Sequence, residues 1–148
     1  MSFEEWRQIT GVILDGAFHC TKAALPELKK SGAGSIINVG GMSGHVGAKD
    51  RSHVITAKSG LIGLTKALAH EFADYGINVN CVVPGMIDTA VGKPKGGPTA
   101  QHYSFAQPVN RRKGTVEELS SMVRYLCGPS ARYVTGQTLH INGGAYMG

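Results

Sequence analysis

The sequence predicts an α/β fold built on a parallel sheet. Three observations carry that prediction. Long stretches with apolar residues at helical spacing alternate with short apolar runs; the runs end in Gly-Gly or Pro-Gly; and the stretches between them are long enough for right-handed crossovers.

The first helix opens on Ser2-Phe3-Glu4-Glu5, a Ser followed three residues later by Glu, which is the pattern of a capping box. Trp6, Ile9, Val12, Ile13, Gly16, Ala17, Cys20, Ala23 and Ala24 follow at helical spacing. The helix is expected to weaken near Pro26 and to end by Ser31-Gly32. Its cap sits at the very start of the chain, so the expectation is that nothing precedes it. Residues 34–39 form a short apolar run closed by Gly40-Gly41 and read as a buried strand; 42–51 read as loop. Ser52 to about Tyr75 reads as a second long helix with Ala57, Leu61, Leu64, Ala67, Leu68 and Phe72 on its apolar face, stopped by Gly76. Residues 77–83 are a second strand, ended by Pro84-Gly85. A loop over roughly 90–113, rich in Gly, Pro and Lys, has the length of a functional lid or a disordered segment. Thr115-Val116-Glu117-Glu118 is a second capping box and opens a helix to about Cys127. Residues 138–141 form the last strand, followed by Gly143-Gly144. Three strands are few for a parallel sheet, which wants neighbours and cover on both faces.

The chain has 148 residues, enough for one domain, and no internal repeat. No apolar run approaches the roughly 20 residues of a membrane helix. The N-terminus carries acids where a signal peptide carries bases, so no targeting segment is read and the expected location is cytoplasmic. Cys20, Cys81 and Cys127 are odd in number, far apart and without a C-x-x-C, which suits buried or idle thiols in a reducing compartment. The net charge is +5, with a basic run at Arg111-Arg112-Lys113 and with Lys93 and Lys95 nearby. That run reads either as a patch for an acidic partner or as a solvated loop. No aromatic residues alternate with the bases, so no nucleic-acid partner is expected. His19, His70, His102 and His140 show no metal-ligand spacing, and no metal is assigned. Tyr125, Tyr133 and the Gly143-Gly144 pair read as packing and turn residues.

Residues 56–69, TAKSGLIGLTKALA, followed by Gly76-Ile77-Asn78-Val79-Asn80 and by Pro84-Gly85-Met86-Ile87-Asp88-Thr89, resemble the short-chain dehydrogenase/reductase family. The tail 135–144, TGQTLHINGG, resembles its last strand. The resemblance covers residues 3–148, and its closest flavour is the 3-oxoacyl-(acyl-carrier-protein) reductase-like group. It implies the C-terminal part of a Rossmann-like, doubly wound parallel sheet. The family's Gly-rich turn and its Asn-Asn-Ala-Gly strand end have no counterpart here, so 1–148 is expected to be one partial domain. It would lack the first four strands, the seat of the ADP half of a dinucleotide, and would leave the first strand with a free edge.

The family's chemistry uses a Tyr that exchanges a proton with the substrate oxygen and a Lys that holds the nicotinamide ribose. A Ser bonds the reacting oxygen, and an Asn on the long helix completes a relay. By this resemblance Lys58 matches the Lys, while Val54 stands at the Tyr position, Gly41 at the Ser and Ile13 at the Asn. Val and Gly carry no acid group and cannot stabilise an alkoxide. The candidate substitutes are His53, His45 and Ser43. His53 lies about 100° around the helix from Val54. Pro84, Gly85, Ile87 and Thr89 match the family's contacts to the nicotinamide end, where NAD or NADP is the implied cofactor; a strand-ending turn is the plainer reading of the same residues. His102, Tyr103 and Phe105 fall in the stretch expected to cover the substrate.

Two functions follow. One is a divergent oxidoreductase that acts on a small-molecule carbonyl or alcohol through NAD(P), read here from an internal start. The other is a non-catalytic pseudoenzyme or truncated subunit that keeps the family's oligomer surfaces and forms a homo-oligomer through helices 3–29 and 52–75.

Overall fold

A computed structural model describes residues 1–89 and 107–148. Lys93, Lys95, His102, Tyr103 and Phe105 lie outside these described residues. The elements run α1 (Phe3–Thr10), a π-helical turn (Gly11–Asp15), α2 (Gly16–Ser31), β1 (Ser35–Val39), α3 (Ser43–Val46), α4 (Ser52–Glu71), β2 (Asn78–Pro84), α5 (Val116–Cys127) and β3 (Thr138–Ile141). Short 3₁₀ turns at Ala73–Tyr75 and Pro129–Ala131 follow α4 and α5.

Among the described residues the sheet has the order β1-β2-β3, all parallel, with Val39 opposite Val82 and Val83 opposite His140. The predicted α/β class and parallel topology hold. Strand β2 lies in the middle and is sealed from both sides. Leu68 and Ala69 of α4 and Phe72 just after it cluster with Ile77 and Val79 on one face, where Leu25, Leu28 and Ile36 also pack. Leu126 and Ala131 cluster with Val82 on the other face. Alternation along a strand sends successive side chains to opposite faces, so a strand covered by helices on both sides reads as a continuous apolar run.

Both capping boxes form. The Ser2 hydroxyl accepts from the Glu5 N–H at 3.1 Å while the Glu5 carboxylate accepts from the Ser2 N–H at 2.6 Å. Thr115 and Glu118 repeat the arrangement at α5. Each box satisfies two of the donors a helix start leaves open.

Several expectations are corrected. The long first helix does not weaken at Pro26; α2 continues to Ser31 and stops at Gly32 in the left-handed region. Pro26 and Lys22 are both exposed, so the Lys22 carbonyl that lacks its N–H partner is not enclosed in an apolar setting. The helix widens instead at Gly11–Asp15, where the Gly16 N–H reaches back five residues to the Gly11 carbonyl. Residues 42–51 are not all loop, because 43–46 form a helical turn. On α4, Ala67 is exposed, and Thr65 and Ala69 are buried in its stead. Asn38 donates to the Thr65 hydroxyl at 2.9 Å, and that hydroxyl donates to the Leu61 carbonyl at 2.7 Å; this pairing makes a buried polar position tolerable. Tyr133 is fully exposed and packs nothing. The basic run is largely neutralised where it stands. Both terminal nitrogens of Arg112 bond the Glu118 carboxylate, and Lys113 reaches Asp88 at 3.4 Å.

No helix among the described residues is long and apolar enough to cross a membrane.

Candidate functional site

The site lies at the C-terminal ends of β1 and β2, where parallel α/β sheets usually bind ligands. Four segments meet there: the end of β1 with Gly40-Gly41, the turn of α3, the first turns of α4, and Pro84-Gly85 after β2.

Lys58 is on the second turn of α4 and is half-buried; its Nζ donates to the Val39 carbonyl at 2.7 Å. Burial pushes its pKa below the usual lysine range, with the buried Cys81 thiol opposing more weakly. Burial likewise pushes the Cys81 thiol up, against smaller opposing effects from the Gly40 N–H and from Lys58, so the thiol stays protonated.

Gly40 and Gly41 have opposite reasons for being glycine. A Cβ on Gly40 would lie 2.9 Å from the Cys81 sulfur and 3.0 Å from a Val83 methyl, so the chain needs glycine there. A Cβ on Gly41 would meet nothing nearer than the Lys58 stem at 3.5 Å, with the Ser43 hydroxyl at 3.8 Å. A side chain therefore fits at 41, and the Ser43 hydroxyl occupies the space beside it. Structure thus brings Gly41, Ser43 and Lys58 together.

Gly41, Ser43, Val46, Pro84 and Gly85 line one cleft of about 190 Å³. Gly85 is glycine because a Cβ would fall 2.6 Å from the Asn142 Cα, which lets the turn after β2 lie against the end of β3. Ile87 and Thr89 do not line this cleft. Ile87 bridges to Gly114, with the Asp88 N–H donating to the Gly114 carbonyl at 2.7 Å; Thr89 is exposed. On the other side of Lys58 an open groove of about 580 Å³ runs between α2 and the edge of β1. Val12, Ile13, Ala17, Val39 and Leu61 are among its lining residues.

His53 is half-buried on the first turn of α4, the helix that packs against α1, and its Nδ1 is buried without a hydrogen-bond partner among the described residues. His45 packs against His140 and Tyr146, with ring centroids 4.6 and 5.0 Å away, and its Nε2 is buried without a partner. Burial lowers the pKa of both His45 and His140. Sequence reasoning missed this three-ring cluster because it joins α3, β3 and the C-terminal tail across most of the chain. It also missed Cys81 beneath Lys58.

For a nicotinamide cofactor, the described residues suit one end of the molecule. Lys58 supplies an ammonium beside a cleft framed by backbone at 41–47 and 84–85. Helices α1 and α5 begin with Glu4 and Glu5 and with Glu117 and Glu118, which repel a diphosphate from the N–H groups a helix start would otherwise offer. Among the described residues no group of three or more His, Cys, Asp or Glu side chains is placed to hold a metal ion.

A family model described as Enoyl-(Acyl carrier protein) reductase matches residues 1–146. The 3-oxoacyl-(acyl-carrier-protein) reductase FabG of Vibrio cholerae is 40% identical over 147 residues, covering 99% of this chain and 60% of that protein. Its counterpart in Salmonella typhimurium is 37% identical over the same length and share. Among solved structures, the acetoin dehydrogenase YohF from Salmonella typhimurium superposes with a TM-score of 0.83 at 37% identity, covering 98% of this chain and 57% of that one. The TT0495 protein from Thermus thermophilus gives a TM-score of 0.87 at 34% identity, covering 98% and 62%. The chain thus spans about three fifths of the length of the curated relatives it matches.

Proposed function

Because the chain belongs to the short-chain dehydrogenase/reductase family, we propose that it carries the nicotinamide- and substrate-facing part of an NAD(P)-dependent oxidoreductase for a small carbonyl or alcohol. The observation that supports this reading most is the placing of Lys58 beside Gly41 and Ser43 at the strand ends. Lys58 would hold the ribose hydroxyls next to the nicotinamide, with Pro84, Gly85, Ile87 and Thr89 contributing backbone on the far side. Ser43 would donate a hydrogen bond to the reacting oxygen in place of the hydroxyl that Gly41 lacks. When bound, the nicotinamide supplies or accepts the hydride. The protein's own share is to orient the carbonyl, exclude water and hold a donor on its oxygen. Residues 1–148 are one domain in this reading, and the working compartment is the reducing cytoplasm. Phe3 and Phe18, both exposed on the first helical run, suit a homo-oligomer contact there.

Titration of NADH and NADPH into the chain and into Lys58→Ala tests the cofactor role. Micromolar affinity lost in the variant supports it, and equal affinity in both sinks it.

One observation favours a second reading. Val54 and Ile13 are aliphatic and half-buried, and His45 packs against His140 and Tyr146. Among the described residues no proton donor then stands one turn before Lys58, which suits a non-catalytic member. Gly41→Ser combined with Val54→Tyr separates the two. The oxidoreductase reading expects carbonyl-dependent oxidation of NADPH to rise by about 10²- to 10⁴-fold, the usual worth of a placed acid. No gain favours the non-catalytic one.

A further inference from the structure

His45, His140 and Tyr146 come from α3, β3 and the C-terminal tail, and their rings meet as a triangle. The centroids lie 4.6 Å apart for the two histidines, 5.0 Å for His45 and Tyr146, and 4.9 Å for His140 and Tyr146. His45 Nε2 and His140 Nδ1 are buried, and neither has a hydrogen-bond partner among the described residues. A neutral imidazole has one nitrogen without a proton, so such a position is tolerable. In the cation both nitrogens are donors, and a charged N–H would be left in the cluster without an acceptor. No described carboxylate offsets that cost. Glu118 borders the same hollow as His140, but Arg112 holds its carboxylate, and Asp88 is taken up by Lys113. On α4, which packs against α3, Ser59 holds the Gly44 carbonyl at 2.8 Å and Lys58 is turned to the Val39 carbonyl. The loop after α3 adds Lys49, Asp50 and Arg51. Burial lowers the pKa of His45, and burial followed by the charge of His45 lowers that of His140; neither Asp50 nor another described carboxylate raises them.

Beyond Gly144 the hydrogen bonds of the tail among the described residues are local. The Asn142 amide donates to the Tyr146 carbonyl at 3.0 Å, and the Ala145 N–H donates to the Asn142 carbonyl at 3.1 Å. The Tyr146 ring is what reaches across to α3 and β3. Strand β3 has separate anchors, since it pairs with β2 along its length. We propose that the three rings form a latch, which fastens the C-terminal tail and the α3 turn to β3 while both histidines are neutral and releases them when acid protonates the pair. The direction follows from the preference for the neutral rings. With both histidines held below their ordinary value of 6.5, the latch is at full strength above that value and weakens as pH falls below it, because opening takes up protons. Ser43, Val46 and Gly47, on the same short stretch as His45, wall the cleft. Release therefore loosens one wall of the cleft while Lys58 keeps its place on α4.

The test is hydrogen exchange of the 148-residue chain at about pH 7.5 and about pH 5.5, read by mass spectrometry, with each rate divided by its intrinsic value at that pH. Protection of residues 42–47 and 142–148 should fall together on acidification by about tenfold or more, the worth of one pKa unit. Residues 57–69 and 79–83 should keep theirs. His45→Phe combined with His140→Phe retains two rings that cannot take up a proton, and it should abolish most of the fall. Equal protection of the two segments at both pH values overturns the proposal, and so does an undiminished fall in the double variant. Should that variant fold poorly, NMR titration of the unaltered chain decides the matter. His45 and His140 titrating below 6.5, with the Tyr146 ring signals moving along with them, supports the latch. Either histidine titrating at or above 6.5, or a Tyr146 ring that does not follow them, overturns it. No cofactor or substrate is added, so the outcome is independent of the oxidoreductase reading.

Discussion

Strands β1 and β2 run side by side in register, yet they occupy opposite environments. Val79, Cys81, Val82 and Val83 of β2 are fully sealed, whereas Val39 at the end of β1 is nearly half exposed and borders an open groove. The difference is one of cover. Helices α4 and α5 lie on the two faces of β2, while β1 has β2 as its single described neighbour and α2 beside it across the groove. Burial is therefore concentrated in β2 and its helices, and the candidate site lies where cover thins out.

That contrast can be broken most sharply by truncating one residue from each region. Leu126→Ala removes a fully buried side chain from the α5 face and should cost about 3 kcal/mol, while Val39→Ala should stay within about 0.5 kcal/mol. Urea unfolding of the two variants measures the gap, and equal losses would mean that β1 is as well covered as β2. A smaller effect separates neighbouring glycines. Gly40→Ala forces a methyl against Cys81 and Val83 and should cost about 1–3 kcal/mol, whereas Gly41→Ala meets only ordinary contacts and should cost less than about 1 kcal/mol. The smallest effect is electrostatic and lies at the surface. The Glu118 carboxyl is held down to about 2, first by the hydrogen bond from Arg112 and then by the Thr115 N–H. A carboxyl lowered on folding stabilises the fold above its ordinary value of 4.5, and that contribution fades as pH falls from there towards about 2. The pH dependence of the urea midpoint over this window should be shallower in Arg112→Ala; an unchanged slope would show that the pair has no part in it.

Elements whose cause is local were legible in the sequence. The Ser2 and Thr115 caps need only residues three apart, and the β2 run announces itself because both of its faces are covered. Gly32 stops α2 in the left-handed region as expected, whereas α4 ends at Glu71, short of the expected Tyr75, and Gly76 closes only the 3₁₀ turn that follows it. Effects set by distant partners were not legible. The weakening expected near Pro26 is absent, and sequence does not show that its face is exposed. Thr65 was passed over because its partner Asn38 comes from another element. The site is a mixed case. The family pattern located Lys58, Gly41 and Pro84-Gly85, and Ser43 does stand at Gly41. His45 lies only two residues from Ser43 in sequence, yet its neighbours are His140 and Tyr146, nearly a hundred residues away. No local spacing reveals that.

Strand β2 also has asparagines where a buried strand would be expected to avoid them, and they tie down the far end of the chain. Asn78 donates to the Ala131 carbonyl at 3.0 Å. Asn80 donates to the Val134 carbonyl at 2.8 Å and accepts from the Gln137 N–H at 3.0 Å. Thr135 returns the favour by accepting from the Val79 N–H. The turn into β3 is thus moulded on side chains that β2 presents, and β3 cannot peel away residue by residue as a frayed terminus would. Releasing it strips the buried Asn80 of its partners at both ends of the amide, so the last strand and the centre of the sheet open as one cooperative unit.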